Sequence, residues 1–235
     1  MTEELQILNE IEKAAQLCEQ SYTHNEIISV MKTENDFEKQ ICMLKLNKLQ
    51  NQEEAELLVF QLTGHHGLIR EAAAIKINEF IDNPKYTHFF LTDYILESLL
   101  KGINDINPNI CRMLCSILPV LFSNNADQKA FFLKNLYSRF FIIFDELEKL
   151  KRSTWYTKKL FNLYWCLEAL KLFAKNIPTE RIYPILSRAS KEKEYTIREK
   201  VAQIVIYLSD NTFTDIKKEL SQDENYYVRA VFDSN

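Results

Sequence analysis

An all-α chain, stacked from about five helical hairpins, is what this 235-residue sequence predicts. Three observations carry that expectation. Glycine and proline are scarce, three and five in the whole chain, fewer than the turns of a strand-rich or loop-rich protein require. Apolar residues recur at the three-and-four spacing of one-sided helices. A basic residue entering a helix also keeps returning, at Lys39, Arg70, Arg112, Lys159, Arg198 and Arg229.

The elements follow in chain order. Residues 1–32 read as N-terminal capping helices and 33–235 as repeats. "DFEKQICMLKLNKL" sets Lys39 before Cys42, Met43, Leu46 and Leu49, and "LIREAAAIKINEF" sets Arg70 before Ala73, Ala74, Ile77 and Phe80. "NICRMLCSILPVL" places Arg112 before Cys115, Ser116 and Leu118, "TKKLFNLYWCLEAL" places Lys159 before Asn162, Leu163, Cys166 and Ala169, "TIREKVAQIVIYL" places Arg198 before Val201, Ala202, Val205 and Leu208, and "YYVRAVF" carries Arg229. A second amphipathic run lies between successive anchors: "EAELLVFQL", "THFFLTDYILESLL", "KAFFLKNLYSRFFIIFDEL", "TERIYPILSRAS" and "FTDIKKEL". The anchors are 31, 42, 47, 39 and 31 residues apart, near the length of a two-helix repeat. Gly64, Gly67 and Gly102 fall between periodic segments, where helix ends favour glycine. Pro108 and Pro178 suit first helical positions, and Pro119 and Pro184 lie inside apolar runs that they are expected to kink.

A helix pair cannot bury its apolar face alone, so neighbouring pairs must stack into a continuous core. Small residues three and four places after an anchor allow close approach. The anchor itself sits one turn earlier, within reach of an acidic or carbonyl group of the adjacent repeat. Asp223 precedes Arg229 by six residues, Glu192 precedes Arg198 by six, and Asp105 precedes Arg112 by seven. These acids and Arg70, Arg112, Arg198 and Arg229 are expected to form a structural ladder of charge-assisted hydrogen bonds. Before Arg70 the acidic place is held by Gly64.

With those residues in view, the segments resemble HEAT repeats, of the armadillo-type α-solenoid family. "DINPNICRMLCSILPVL" and "DENYYVRAVF" are similar to the family's Asp…Val-Arg…Ala…Leu pattern, and "LIREAAA" to its second half. The resemblance covers roughly residues 33–232, with lysine replacing arginine at 39 and 159. It implies a right-handed α-solenoid of about five HEAT-like hairpins, with 1–235 as a single domain. It also implies a scaffold that offers its concave face to a protein. Some glycosylases for alkylated DNA bases and some bilin lyases are likewise built from HEAT-like repeats, so nucleic-acid or lyase roles stand as alternatives.

Composition narrows the choice. Apolar residues make up 46% and charged residues 26%, as in a soluble folded protein. No run of 18 apolar residues occurs; "RFFIIFDELEKL" meets Asp145 and Glu146 first, so no membrane insertion is expected. The acidic start "MTEELQILNEIEKAAQ" lacks an export signal. Together with five cysteines, an odd number in apolar helical contexts, this points to a reducing cytoplasm. Cys111 and Cys115 share a helical face, but no histidine or second cysteine pair sits at ligand spacing, and His65-His66 read as a loop. No nucleophile lies beside a base, and no Gly-rich phosphate loop is present. No catalytic residue, metal or cofactor is therefore expected. A net charge of −4 and a pI near 5.7 argue against nucleic acid as the partner. Residues 1–60 hold twelve acidic and five basic side chains, which reads as the polar cap that an open solenoid end needs, with an acidic docking face as the alternative.

One stretch stands apart: "EKLKRSTWYTKKLFNLYW", residues 148–165. Lys149, Lys151, Arg152, Lys158 and Lys159 surround Trp155 and Tyr156, and Ser153 and Thr154 are placed to cap a helix. Rings and cations on one turn are what interfaces select. The expected function is a non-catalytic adaptor binding a protein with an acidic surface through its concave face and the 151–159 turn. Lys151, Arg152, Trp155, Tyr156, Lys158 and Lys159 make the contact. Packing of Trp155 between repeats, with the lysines as a solvated face, is the equal alternative; Trp165, ten residues on, belongs in the core.

Overall fold

The computed structural model describes residues 12, 15–33, 35–150, 153 and 155–233, and among them every regular element is helical. The chain forms two compact units, Met1–Leu99 and Leu100–Asn235. Most of the 1–32 capping segment lies outside the described residues.

The first unit contains α1 (15–19), α2 (His24–Val30), α3 (Asp36–Lys45), α4 (Gln52–Phe60), α5 (Gly67–Ile81), the short α6 (Pro84–Thr87) and the start of α7 (Asp93–Ile103). Polar side chains set the helix starts by satisfying N–H groups that have no partner within the helix. Thr23 and Glu26 form a reciprocal capping box on α2, while Asn35, Asn51 and Asn83 cap α3, α4 and α6. At the other end of α1, the Lys45 ammonium donates to the carbonyls of Leu17, Cys18 and Gln20 at 3.2, 2.7 and 2.5 Å, where the helix dipole favours a cation. Helix α3 packs against α2 and α5, and α4 against α5. Cys42, Met43, Leu58, Ala73, Ala74, Ile77 and Ile81 are fully buried. The small pair after Arg70 therefore does face the core.

The second unit continues with α8 (Pro108–Leu121), α9 (Ala126–Leu150), α10 (Trp155–Lys171), α11 (Thr179–Ala189), α12 (Tyr195–Val205), α13 (Thr214–Ser221) and α14 (Tyr226–Asp233). Helices α9 and α10, α11 and α12, and α13 and α14 pair as hairpins, and the even-numbered helices also touch in series, α8 to α10 to α12 to α14. Phe122 packs on Phe132 and Phe173, with ring centroids 5.3 and 5.9 Å apart, and Leu163, Leu167, Val201, Ala202 and Val205 fill the seam. Lys200 crosses from α12 to Glu168 of α10 at 2.5 Å, over the Tyr164 ring, and also donates to Gln203. Burial works against both charges, yet each holds the other ionised: the Glu168 carboxyl is lowered and the Lys200 ammonium raised.

Two local expectations need correction. No glycine adopts the left-handed conformation among the described residues. Gly67 opens α5 and Gly102 lies within the last turn of α7. Several helices end instead on right-handed residues such as Met31, Asp82 and Ile206, whose N–H groups donate back into the last turn. Pro178 sits at the N-cap of α11 rather than at its first position, and α8 and α11 run through Pro119 and Pro184.

Candidate functional site

The anchors come first, because they position the turns. Arg70 donates through Nη1 to the Gly64 and His65 carbonyls at 3.0 and 2.9 Å. Arg198 does the same to Glu192 and Lys193, both at 2.8 Å, and Arg229 to Asp223 and Glu224 at 2.5 and 2.9 Å. Each guanidinium thus clamps the carbonyls six and five residues before it. Because backbone is the acceptor, the missing acid at Gly64 does not break the clamp.

Arg112 does not follow the rule. It is exposed, and its Nη1 meets Asn109 Oδ1 at 3.5 Å. The place six residues after Asp105 belongs to Cys111, whose buried thiol donates to the Asp105 carbonyl at 3.3 Å. The seven-residue spacing from Asp105 to Arg112 is a one-residue slip, which turns the arginine to the outer face of α8. Asp105 itself occupies the expected turn: its Oδ1 accepts from Asn107 N at 2.8 Å, as Asp223 Oδ1 does from Asn225 N.

The acids also pair differently from expectation. Arg198 reaches forward to Asp223, with Nε to Oδ2 at 2.6 Å and Nη2 to Oδ1 at 3.0 Å. The two side chains are only 10% and 8% exposed. The hydrogen bonds from Arg198 hold the Asp223 carboxyl below its usual range, against the effect of burial. Glu192 offers Arg198 its carbonyl, and its carboxylate accepts from Tyr156 Oη at 3.2 Å.

The 151–159 turn is divided by these contacts. Lys151, Arg152 and Thr154 lie outside the described residues. Ser153 caps α10, its Oγ accepting from Trp155 N at 3.2 Å. Trp155 is 58% exposed, with Lys158 Nζ 5.0 Å from its ring centre. Lys159, by contrast, is bound to Glu146 at 2.7 Å, which removes it from the free surface. Tyr156 is half-buried, and burial followed by the nearby Glu192 raises its hydroxyl pKa. It lines a cavity of about 300 Å³ with Leu147, Glu148, Arg188, Lys191, Glu192 and Lys193. Arg188 is committed to the Phe144 carbonyl and ring. Lys191 and Lys193 stand exposed at the rim. These two lysines come from a turn some 35 residues downstream of Trp155. "SKEKE" (residues 190–194) shows them as a charge cluster, but only the hairpin packing brings them to Tyr156. Trp165 is buried.

A second concavity of about 700 Å³ lies between α9 and α11, lined by Phe131, Lys134, Tyr137, Phe141, Arg181 and Pro184 among others. Cys111 and Cys166 are buried and pushed up to about 12, and Cys115 is raised further by burial. Such thiols are poor nucleophiles and poor ligands at neutral pH. No group of three His, Cys, Asp or Glu among the described residues is placed to hold a metal. No helix among them is long and apolar enough to cross a membrane.

No protein-family model matches the chain, and no curated protein matches it. Among solved structures, the crystal structure of an engineered protein aligns with 90% of this chain and 94% of its own, with a TM-score of 0.52 at 12% identity. That similarity concerns the fold alone.

Proposed function

We propose that the chain is a non-catalytic, cytoplasmic adaptor, a right-handed HEAT-like α-solenoid of about five hairpins. It binds a protein with an acidic surface through its concave face and the 151–159 turn. The observation that carries this reading is Trp155: a large ring left 58% exposed at a helix start, with the Lys158 ammonium over it. A ring and a cation held together give contact area at low entropy cost and long-range attraction for carboxylates. The rim lysines, Lys191 and Lys193, extend the positive surface beside the Tyr156 cavity. Lys159 is dropped from the contact set because Glu146 already neutralises it.

The test is partner recovery by the intact protein and by a Trp155→Ala, Lys191→Glu, Lys193→Glu variant, with Lys159 left in place. Loss of a protein partner in the folded variant supports the reading. Unchanged recovery removes the site, and recovery of DNA or RNA in place of protein overturns the choice of partner.

A further inference from the structure

Successive hairpins of the second unit meet at two kinds of joint, one between even-numbered helices and one between odd-numbered helices. After α11 and α12 both are closed. Arg198 of α12 grips Asp223 at the turn into α14, and on the odd-numbered side α11 meets the 211–213 segment that leads into α13. There Phe213, almost wholly buried, packs on Tyr183 with ring centroids 5.9 Å apart, and Asp210 accepts from Thr179 Oγ1 at 2.7 Å. A ring and a carboxylate fill the space beside α11.

One hairpin earlier the two joints differ. Helix α10 packs on α12, yet α9 and α11 stand far enough apart to leave the groove of about 700 Å³. Its α9 wall is a stripe at three-and-four spacing, Ala130, Phe131, Lys134, Tyr137, Ser138 and Phe141, which runs about 16 Å at about 1.5 Å per residue. Phe141 is 49% exposed, and Phe131, Tyr137 and Phe141 meet no other ring among the described residues. Lys134 from α9 and Arg181 from α11 are exposed, and no carboxylate pairs with either among the described residues. Against these two cations the lining carries one acid, Glu180. The groove is apolar along most of its length and net positive.

We infer that this groove docks an amphipathic helix of a separate protein, about three turns long, with bulky apolar side chains on one face and carboxylates along its flank. Charge and backbone chemistry select that occupant. Lys134 and Arg181 attract acidic side chains and set their orientation. Both walls are helices, whose backbone groups are bonded internally, so an extended peptide would bury its own N–H and C=O groups without partners. A helix satisfies those groups itself and lays its ridges into the gap. Its apolar face takes up the kind of contact that Phe213 makes with Tyr183 at the next joint. The groove shares no residue with the 151–159 turn and does not depend on it. A short helix in an open groove buries a modest area, so a Kd between about 10 μM and 1 mM is expected.

The probe is a labelled alanine-rich peptide of about 18 residues, long enough to be helical alone, with leucine and phenylalanine along one face and glutamates flanking them. It is titrated with the full chain by fluorescence anisotropy. Saturable binding is expected, weakened at least about tenfold by Lys134→Glu with Arg181→Glu, two exposed changes that leave the core intact. The same variant should bind a second peptide, with lysines in place of the glutamates, better than the unmodified chain does. Phe141→Ser should weaken binding of the acidic peptide, and Trp155→Ala should leave it unchanged. Absence of saturable binding up to about 1 mM, or binding indifferent to Phe141→Ser, overturns the site. Equal binding of the acidic and basic peptides by the unmodified chain overturns the charge selection. Loss of binding on Trp155→Ala moves the peptide to the 151–159 turn and overturns the groove. Concentration-dependent self-association of the unmodified chain, abolished by the double charge reversal, assigns the groove to a second copy and overturns the separate partner.

Discussion

Arg198 and Arg112 open two helices of the second unit from similar sequence contexts, yet they do opposite things. Arg198 is buried, clamps two carbonyls of its own turn and grips Asp223 with two further hydrogen bonds. Arg112 lies on the exposed face of α8, and Cys111 takes the buried place beside it. The difference is a single residue of spacing. On a helix one residue is a rotation of about 100°, enough to carry a side chain from the seam to solvent. The distance from the turn, six residues, therefore decides which side chain becomes the anchor, and chemical identity comes second.

The largest effect should fall on Arg198. Arg198→Ala leaves the Asp223 carboxylate buried without its cation and frees two carbonyls, a loss of about 3–5 kcal/mol by analogy with broken buried pairs. Urea unfolding measures it; a change below about 1 kcal/mol would show that the joint contributes little.

Asp223→Asn should cost less, about 2 kcal/mol near neutral pH, since the amide retains one acceptor for Arg198. Its pH dependence has a definite sign. Arg198 bonds the anion and lowers the Asp223 pKa in the folded state. Its contribution is thus complete above the unfolded value of about 3.9 and fades as pH falls through the folded value. The stability gap between wild type and Asp223→Asn should be constant from about pH 6 to 7 and close below about pH 4. A gap that widens in acid contradicts the assignment.

These two residues also mark what could be read from sequence. The helical class follows from periodicity and from the poverty in glycine, and the cap at Ser153 follows from residue type. Arg198, Arg229 and Asp223 were legible as anchors and acid because their six-residue spacing is regular. The pairing of Arg198 with Asp223 rather than with its own Glu192 was not, since it depends on how one hairpin lies on the next. The same holds for the candidate site. Trp155 and Lys158 were evident as an aromatic–basic cluster. The capture of Lys159 by Glu146 and the arrival of Lys191 and Lys193 arise from packing between helices far apart in sequence. Cys111 stayed hidden because a thiol donating to a carbonyl carries no charge signal.

At Cys111 the expected effect is smaller. Cys111→Ala keeps a small apolar side chain in the seam and deletes one weak donor, so a loss of about 1 kcal/mol is expected. Reactivity gives an independent check on the same place. With the Cys111 and Cys166 thiols pushed up to about 12, and Cys18 exposed, a limiting amount of iodoacetamide at pH 8 should modify Cys18 first. Native Cys111 should react only on unfolding. Modification of Cys111 at a rate matching Cys18 would show that α8 opens locally and that its turn is not held.

The smallest effect belongs to Arg112, and it tests the spacing rule most directly. If arginine identity created the anchor, Arg112→Ala would destabilise the protein about as much as Arg198→Ala. If position creates it, the substitution removes an exposed guanidinium whose hydrogen bond to Asn109 is long at 3.5 Å. Alanine is also a better helix former, which offsets part of any loss. The expected change is within about 0.5 kcal/mol, measured by urea unfolding alongside Arg198→Ala. A loss of about 2 kcal/mol or more would mean that Arg112 clamps its turn despite its exposure, and the six-residue rule would then fail at the joint where Cys111 stands.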